Sequence, residues 1–510
     1  MNNWQRQHPA AIFISFLGSI KQLVITIIVV FIFGQSSDGI SSIFIFIFFG
    51  FILAGSLISG FIGWWKFKYY LKPDELQVKQ GLIFKKNRFI RRDRVQSIDI
   101  NAKVVQRLFG LVELKIETAG GGSEPEFRLI ALKRHQAEEI KKELLERKNH
   151  YSGHEEAFYG EISEGISHAL MPDPEPEKPV QSFKWELTIF RLIVAAVTSS
   201  GVGIAATFMA AVLSQAPQFL PDWLINIAIG WVVQSSLAYI GMFLVTVLLS
   251  AWVFTIISTV LKYGMFTINK QGKDIHISRG ILEQRQLTLN ANRINAVRIV
   301  QNVLRQPFGF CSVYVESAGG GTKEEDLSTI LLPLCRRNEV ESLLMEIVPE
   351  YSFEPKYETL PRESMRRYMI KLIVPALIAA GASTYFLPYG WLAFLLPAAS
   401  GFLGFVQYKT AGICTVTDYI CIRSRQISKS EVFLPKNRIQ DMETVQNPLQ
   451  KLDNLFTIHV SVLTTVIGKT FSLKHISSEQ KEKFMEWYSY ENDIFTSSVN
   501  QKGTPELEEN

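Results

Sequence analysis

Long apolar runs alternate with charged segments three times along this chain of 510 residues. Each apolar region contains two runs close to the roughly 20 residues that a helix needs to cross a hydrocarbon layer of about 30 Å. The runs cover 12–33 and 40–65, then 187–212 and 237–261, then 368–387 and 391–406. The pattern predicts three membrane hairpins, each followed by a polar domain.

The polar domains show an alternation of apolar and polar positions with period two, which is typical of strands with one buried face. It is clearest in the segments 76–79, 111–118, 413–416 and 456–462. Residues 104–109 have the apolar spacing of a short amphipathic helix, and charged helices with an apolar stripe are predicted to close the domains at 131–148 and 333–348. The fold class is therefore membrane α-helical hairpins plus all-β domains, each a small sandwich or barrel with a C-terminal helix.

One segment occurs twice without a gap, since residues 94–122 align with 293–321 and are identical at 10 of 29 positions. A third, weaker copy starts at 438, has Asp453-Asn454 where the others have Phe-Gly, and lacks the glycine run. Such self-similarity indicates internal duplication. The chain is three repeats of one module. The positions shared between repeats, which we interpret as structural, are Arg94, Arg293, Arg438, Phe109, Gly110, Phe308, Gly309, Glu117 and Glu316.

These patterns divide the chain into eight predicted segments. They are an N-terminal tail with hairpin 1 (1–65), domain 1 (66–148), an acidic proline-rich linker (149–184), hairpin 2 (185–261), domain 2 (262–350), a linker with hairpin 3 (351–406), a divergent domain 3 (407–490) and an acidic disordered tail (491–510).

The distribution of lysine and arginine around the apolar runs predicts their orientation. The loops inside the three hairpins, 34–39, 214–223 and 387–390, contain neither residue, whereas the opposite ends of the runs carry several, including Lys66 and Lys262. By the positive-inside rule, six membrane helices place both termini and all three domains on the cytoplasmic side of a bacterial cell membrane.

Candidate catalytic chemistry is sparse. The 4 cysteines and 8 histidines do not form a cluster with metal-ligand spacing, and no local signature of a nucleophile with its base is present. The net charge of +5 is small. The sequence predicts buried, reduced thiols and a protein without enzymatic activity, metal, cofactor or nucleic-acid partner.

With its paired apolar runs, its RVQSI and RINAV segments, its Phe-Gly turns and its VELKIETAGG strand, the chain resembles the bacterial PH-like family of membrane proteins (bPH2, or DUF304) in a triplicated form. The resemblance implies a seven-strand PH-like sandwich held under the membrane. It also implies a smaller single-domain bPH2 membrane protein as partner, and a role in resistance or immunity against membrane-active bacteriocins or envelope stress. A lipid-handling transporter or scramblase is the alternative, and oligomers are possible.

Three groups of residues are candidates for function. The basic cluster Lys85, Lys86, Arg88, Arg91 and Arg92 suits anionic lipid headgroups or a partner, although a solvated face beneath an anionic leaflet has the same composition. The glycine runs at 120–122 and 319–321 lack the Lys-Ser/Thr of a phosphate-binding loop, which favours a turn. The intramembrane charges Lys21, Arg191 and Lys371 are either functional or extended toward the headgroups.

Overall fold

The computed structural model describes residues 4–20, 40–73, 75–81, 85–118, 127–145, 182–199, 237–317, 328–386, 390–464 and 468–489, together with the single positions 201, 206, 207, 221 and 223. The chain folds as two compact units, 1–292 and 293–510. Lys21, both glycine runs, most of the predicted linker and the acidic tail lie outside the described residues.

Unit 1 contains ten strands and six helices among its described residues. The strands are β1 Lys68–Lys72, β2 Glu75–Gln80, β3 Lys86–Arg91, β4 Val95–Ala102, β5 Leu111–Thr118, β6 Phe127–Lys133, β7 Ser182–Glu186, β8 Thr267–Gln271, β9 Asp274–Arg279 and β10 Gln284–Asn290. The helices are Ala10–Ile20, Ile40–Lys66, Val104–Leu108, Arg134–Leu145, Ile189–Val197 and Leu237–Tyr263.

The strands of unit 1 form two antiparallel sheets. The smaller has the order β1-β2-β3, and the larger, which we call sheet B, has the order β6-β5-β4-β10-β9-β8-β7. The core of the first repeat lies where apolar side chains of both sheets meet, among them Leu76, Ile98 and Leu114, and the closing helix adds Ala137 and Ile140. Sheet B therefore combines three strands of the first repeat with the first strands of the second.

Unit 2 repeats this arrangement. Its strands are β11 Ile294–Gln301, β12 Phe310–Ser317, β13 Thr329–Arg336, β14 Glu358–Thr359, β15 Gly412–Val416, β16 Tyr419–Arg425, β17 Lys429–Pro435, β18 Ile439–Val445, β19 Phe456–Val462 and β20 Lys469–Ile476. Its helices are Val340–Ile347, Arg362–Phe386, Leu395–Thr410, Pro448–Lys451 and Ser478–Tyr488.

The strands of unit 2 also form two antiparallel sheets. The larger, sheet C, has the order β13-β12-β11-β17-β16-β15-β14, and the smaller has the order β18-β19-β20. Ile413, Ile422, Ile458 and Leu473 are buried in the core of the third repeat, which Phe484 of the last helix closes. Sheet C thus joins the second repeat to the third. The division of the sequence into domains did not include a sheet shared between neighbouring repeats.

Where the structure describes them, the apolar runs are helices with few buried residues. Within the described ranges, three helices are long and apolar enough to cross a membrane: Gly241–Tyr263, Arg362–Phe386 and Gly390–Thr410. Helix Ala10–Ile20 is apolar but shorter, and the 27-residue helix Ile40–Lys66 covers the second predicted run. The predicted count of six helices extends over residues that the structure does not describe.

A short extended segment precedes each helical region and pairs with the strand that follows it. Before the first helix, the Gln5 amide donates to the Tyr69 carbonyl at 2.8 Å, and the Tyr69 amide donates back at 2.9 Å. Strand β7 pairs with β8, and β14 pairs with β15. The segment before each helical region therefore lies next to the strand after it. The sequence did not predict this pairing, because the two paired segments are far apart along the chain.

Three predicted boundaries are corrected. Residues 182–184, assigned to the linker, belong to β7, and the closing helices begin at Arg134 and at Val340 rather than at 131 and 333. Residues 131–133 and 333–336 are the ends of strands β6 and β13. Their apolar side chains continue the stripe of the following helix, but their backbone pairs with β5 and β12.

Candidate functional site

The predicted basic cluster lies along one strand at the edge of a sheet. Lys86, Arg88 and Arg91 belong to β3, Lys85 precedes it, and Arg92 begins the 3₁₀ turn that follows. The Arg88 guanidinium lies 5.5 Å from the centre of the Phe127 ring. In the described part of the chain, β3 pairs with β2 alone. The structure brings the five cations together at an open sheet edge.

The opposite kind of open edge is found in the third repeat. Strand β18 occupies the position in the third repeat that β4 and β11 occupy in the first two, and within the described residues it pairs only with β19. Its sequence, IQDMETV, contains two acids and no base. Met442 is buried, whereas Gln440, Asp441 and Glu443 are exposed. One edge is basic and the other is acidic.

The arginine shared by the three repeats ends a 3₁₀ turn in each case. The turns are Arg92–Arg94, Ala291–Arg293 and Lys436–Arg438, and a strand begins at the next residue. Arg94 and Arg438 are exposed, and Arg293 is half-buried. The three arginines therefore mark equivalent corners of the repeats, and their structural role stays a prediction.

Glu316, the other shared polar residue, is completely buried in unit 2. The Lys469 ammonium lies 2.7 Å from its carboxylate, and Arg298 lies 3.5 Å away on the neighbouring strand. Glu117, its counterpart in the first repeat, lies in β5 with Ser97 opposite. Lys469 belongs to the third repeat, so in unit 2 this carboxylate joins two repeats.

The shared Phe-Gly pairs form a tight turn after the short helical segment. Gly110 and Gly309 have φ angles of 65° and 67°, a left-handed conformation that glycine adopts without strain. Asn454 takes their place in the third repeat and has a φ angle of 50°. Asparagine tolerates this conformation better than most residues, so the divergent repeat keeps the turn.

Exposed apolar side chains surround this turn in every repeat. Leu108 is 82% exposed, Phe308 68% and Leu452 76%. The Phe109 ring lies 6.1 Å from the ring of Phe13, which belongs to the first apolar helix. We call these patches the apolar knobs. They consist of Val104, Leu108 and Phe109, of Val303, Leu304 and Phe308, and of Leu449 and Leu452.

A buried glutamine holds the base of the knob in two repeats. The Gln106 carbonyl oxygen accepts from the Lys103 amide, and its amide group donates to the Ile130 carbonyl, both at 2.8 Å. Gln450 accepts from the Asn447 amide at 3.0 Å and donates to the Thr457 hydroxyl at 2.8 Å. Both glutamines lie twelve residues after the shared arginine of their repeat, and only the structure shows that they are buried.

A buried ionic cluster lies at the joint of sheet C. The Glu431 carboxylate is 2.7 Å from the Lys429 ammonium and 2.9 Å from the Arg337 guanidinium, with a side-chain exposure of 5%. Burial raises the pKa of Glu431, but the two cations lower it further, so the net pKa is below its usual value. The cluster also lines a pocket of about 320 Å³, close to Arg423.

A larger cavity of about 560 Å³ lies between the first two apolar helices and the first repeat. Its helical wall carries Ser15, Ser56, Ser59 and Gly60, and the first repeat contributes Lys86 and Arg128. The Arg128 guanidinium is paired with the buried Glu113 carboxylate at 2.7 Å. Small polar side chains beside an apolar helix pair, with a cation at the sheet, suit an amphipathic ligand.

The predicted intramembrane charges are placed differently. Arg191 is half-buried near the start of helix Ile189–Val197, and Lys371 is exposed on helix Arg362–Phe386.

The four cysteines are buried and free, which confirms the prediction for the thiols. Cys311 lies opposite Cys335 with the sulfurs 3.6 Å apart, a pairing that only the strand register reveals. No group of acids, histidines and cysteines fit for a metal occurs among the described residues.

The bacterial PH domain model matches three regions of the chain, 16–148, 200–349 and 371–492. The chain is 31% identical over 507 residues to the UPF0699 transmembrane protein YdbT of Bacillus subtilis (strain 168). The matched region covers 96% of this chain and 99% of that protein. No solved structure matches it. With three matches that together cover most of its length, the chain belongs to the bacterial PH domain family of membrane proteins.

Proposed function

We propose that this protein anchors three PH-like domains at the cytoplasmic face of the bacterial cell membrane as a platform for a partner protein. No enzymatic step is part of the proposal. The partner is a smaller single-domain bPH2 membrane protein, and the complex contributes to resistance against membrane-active bacteriocins or to the response to envelope stress. The similarity to a transmembrane protein of the same family supports the membrane location.

The observation that carries the proposal is the pairing of chain segments at the start and end of each helical region. Gln5 with Tyr69, β7 with β8, and β14 with β15 hold the two ends of each region side by side. A helical region whose ends meet at one sheet crosses a bilayer an even number of times, so both ends lie on one side. The hairpin loops without lysine or arginine support the cytoplasmic side.

The apolar knobs support a close contact between the domains and the membrane surface. The exposed side chains Phe109 and Phe308 occupy equivalent positions of successive repeats. The contact between Phe109 and Phe13 puts the first knob beside an apolar helix. Large apolar residues that are exposed together mark surfaces that bind a membrane or a protein.

Labelling with a membrane-impermeant maleimide tests the topology, since the native cysteines are buried. Single variants Ser36→Cys, Gln218→Cys and Tyr389→Cys in the hairpin loops are expected to react in intact cells. Asn437→Cys, on an exposed turn of the third repeat, is expected to react only after permeabilisation. Reaction of Asn437→Cys in intact cells would contradict the proposal.

Deletion of the gene, followed by challenge with membrane-active peptides, tests the role. We expect higher sensitivity, restored by the wild-type gene but not by the triple variant Leu108→Ser, Phe308→Ser and Leu452→Ser. Met345→Ser, an exposed apolar residue on a closing helix, is the matched control. Affinity purification in mild detergent should recover the smaller relative. Unchanged sensitivity together with recovery of the protein alone would refute the proposal.

The cavity beneath the first two helices favours one second function, the handling of lipids. Its serine-lined wall and the Lys86 ammonium fit a phospholipid with an anionic headgroup. Reconstitution in liposomes that contain anionic lipid should then show lipid movement, reduced by Ser59→Leu, which fills the cavity, and not by Thr246→Leu on an exposed helix face. Absence of lipid movement, with and without the smaller relative, would exclude this function.

A further inference from the structure

Two joints between repeats use equivalent strands in an identical register. In unit 1, β10 pairs with β4, and Gln286 lies opposite Ile100. In unit 2, β17 pairs with β11, and Glu431 lies opposite Ile299. In both joints, the seventh residue before the shared arginine of one repeat lies opposite the sixth residue after the shared arginine of the preceding repeat. The joint is therefore a repeated device with a fixed geometry.

Each joint pairs one strand of a first type with one strand of a second type. The first type precedes the shared arginine and comprises β3, β10 and β17, and the second follows it and comprises β4, β11 and β18. The two joints use β10 with β4 and β17 with β11. One strand of each type, β3 and β18, keeps an outer edge that pairs with no other strand of the described chain. Such an edge exposes backbone groups that bind a further strand.

The common register predicts how these two edges would pair. The seventh residue before Arg94 is Asn87, and the sixth residue after Arg438 is Thr444. An antiparallel pair with Asn87 opposite Thr444 places Arg88 opposite Glu443. The register of the internal joints thus brings opposite charges face to face.

The charges of the two edges are complementary beyond this pair. Strand β3 carries Lys86, Arg88 and Arg91 and no acid, and β18 carries Asp441 and Glu443 and no base. Directly opposed charges of opposite sign stabilise an antiparallel pair by roughly 0.2–1 kcal/mol, and diagonal neighbours are still within reach of long side chains. Phe89, which is 61% exposed, would be covered by the added strand.

We infer that β18 of one copy of this protein pairs antiparallel with β3 of a second copy, with Asn87 opposite Thr444. The occupant of each open edge is a second copy, because the same chain carries both strand types, the register that joins them, and the complementary charges. This contact is heterologous, so repetition closes a ring of copies or extends into a chain of them. The inference goes beyond the proposed function, which does not depend on self-association.

Disulfide cross-linking between differently tagged copies tests the register. One full-length copy carries Asn87→Cys and the other Thr444→Cys, and both are oxidised in native membranes. We expect a cross-linked species that contains both tags. The control pairs Asn87→Cys with Gln440→Cys, which is displaced by four residues, or about 14 Å at the spacing of a strand. Because disulfides require Cα atoms within about 7 Å, the control yield should be roughly tenfold lower.

Reversal of charge tests the electrostatic part. Arg88→Glu or Glu443→Arg alone places like charges opposite each other, and co-purification of the two tags should fall about fivefold. The double variant with both reversals in one chain should recover it. Lys142→Glu, an exposed reversal on the first closing helix, is the control and should have no effect.

A mixed-tag disulfide at the predicted pair, together with rescue by the double reversal, supports the inference. Equal cross-linking at Thr444→Cys and Gln440→Cys would overturn the register. A failure to cross-link differently tagged copies, although both variants are present in the membrane, would overturn the self-association itself.

Discussion

Sheets B and C are built alike but are joined with different chemistry. The joint of sheet C extends over five residue pairs and contains Glu431 with its two cations. The joint of sheet B extends over three pairs, and the residue in the same place is the half-buried, neutral Gln286. The partner of the arginine that follows β6 or β13 also differs. Arg337, after β13, binds Glu431, whereas Arg134, after β6, pairs with Glu138 on its own helix at 3.0 Å.

Backbone pairing sets the register of the joint, and the polar side chain at this position differs between the two sheets. Both sheets keep the same register although Gln286 and Glu431 differ in charge. A buried carboxylate is costly unless cations satisfy it, so the joint of sheet C depends on partners that the joint of sheet B does not need.

The largest expected effect comes from removing both cations of the sheet C joint. The double variant Arg337→Ala and Lys429→Ala leaves the Glu431 carboxylate buried without a cation, which should destabilise unit 2 by about 3–5 kcal/mol. The midpoint of thermal unfolding in detergent measures the loss. Adding Glu431→Gln should restore most of it, and a triple variant as unstable as the double would show that the charge is not the cause.

Acidification should affect the wild type and this double variant with opposite sign and in different pH ranges. The folded-state pKa of Glu431 lies below its usual value of 4.5, so its contribution is present above pH 4.5 and is lost as the pH falls through the folded value. Without the cations, burial alone raises the pKa of Glu431, and acidification toward pH 5 should raise the unfolding midpoint. A fall in the unfolding midpoint of the double variant between neutral pH and pH 5 would argue against the ionic cluster.

The next largest effect is the loss of stability when the buried glutamine of either unit is replaced. Gln450→Ala and Gln106→Ala each leave buried polar groups unpaired, which should cost about 1–3 kcal/mol. The loss should be larger in unit 2, because Gln450 also donates to His475 at 3.1 Å. Thermal unfolding of both variants measures this, with the exposed Gln440→Ala as the control. Equal losses of stability in the two variants would show that the contact of Gln450 with His475 does not add to the stability of unit 2.

A smaller effect concerns the left-handed turn. Gly309→Ala and Gly110→Ala should each cost about 1–2 kcal/mol, because a side chain in this conformation is strained although no atom obstructs it. Asn454→Gly should be neutral or slightly stabilising. The unfolding midpoints of the three variants measure these effects. A strong destabilisation by Asn454→Gly would mean that the asparagine side chain itself stabilises the third repeat.

The smallest effect comes from transferring the acid to sheet B. Gln286→Glu should change stability by less than about 1 kcal/mol, because position 286 is only half-buried and a carboxylate there stays partly solvated. If Arg134, which pairs with Glu138, turns to the new carboxylate as Arg337 does to Glu431, then adding Arg134→Ala should lower the stability further. If Gln286→Glu alone destabilises as strongly as the loss of both cations in sheet C, then the two joints are not equivalent in geometry.

The sequence predicted the parts of the fold that local patterns encode. Strands β5 and β19 begin and end where the alternation of apolar residues indicated, and the short helix Val104–Leu108 follows its apolar spacing. The basic cluster was also recognised, because its residues are neighbours in sequence. Its position at an open edge was not, since that depends on which strands are left unpaired after folding.

The alignment of repeats gave further information where residue types were shared, but not where they differed. Asp453-Asn454 replaces Phe-Gly in the third repeat, and only the structure shows that Asn454 keeps the left-handed turn. The partners of Glu316 were not predictable, because Lys469 lies 153 residues further along the chain.

The sequence by itself determined that the chain has three repeats, apolar runs of membrane length and strands with one buried face, because each of these is a periodicity within a short window. Only the tertiary structure decided which strands pair across repeats and which edges stay open. The hydrogen-bonding groups of a strand edge are the same in every residue except proline, so the pattern of side chains does not name the partner. Chain connectivity, the closeness of the two strands in space and the charges opposite each other select it.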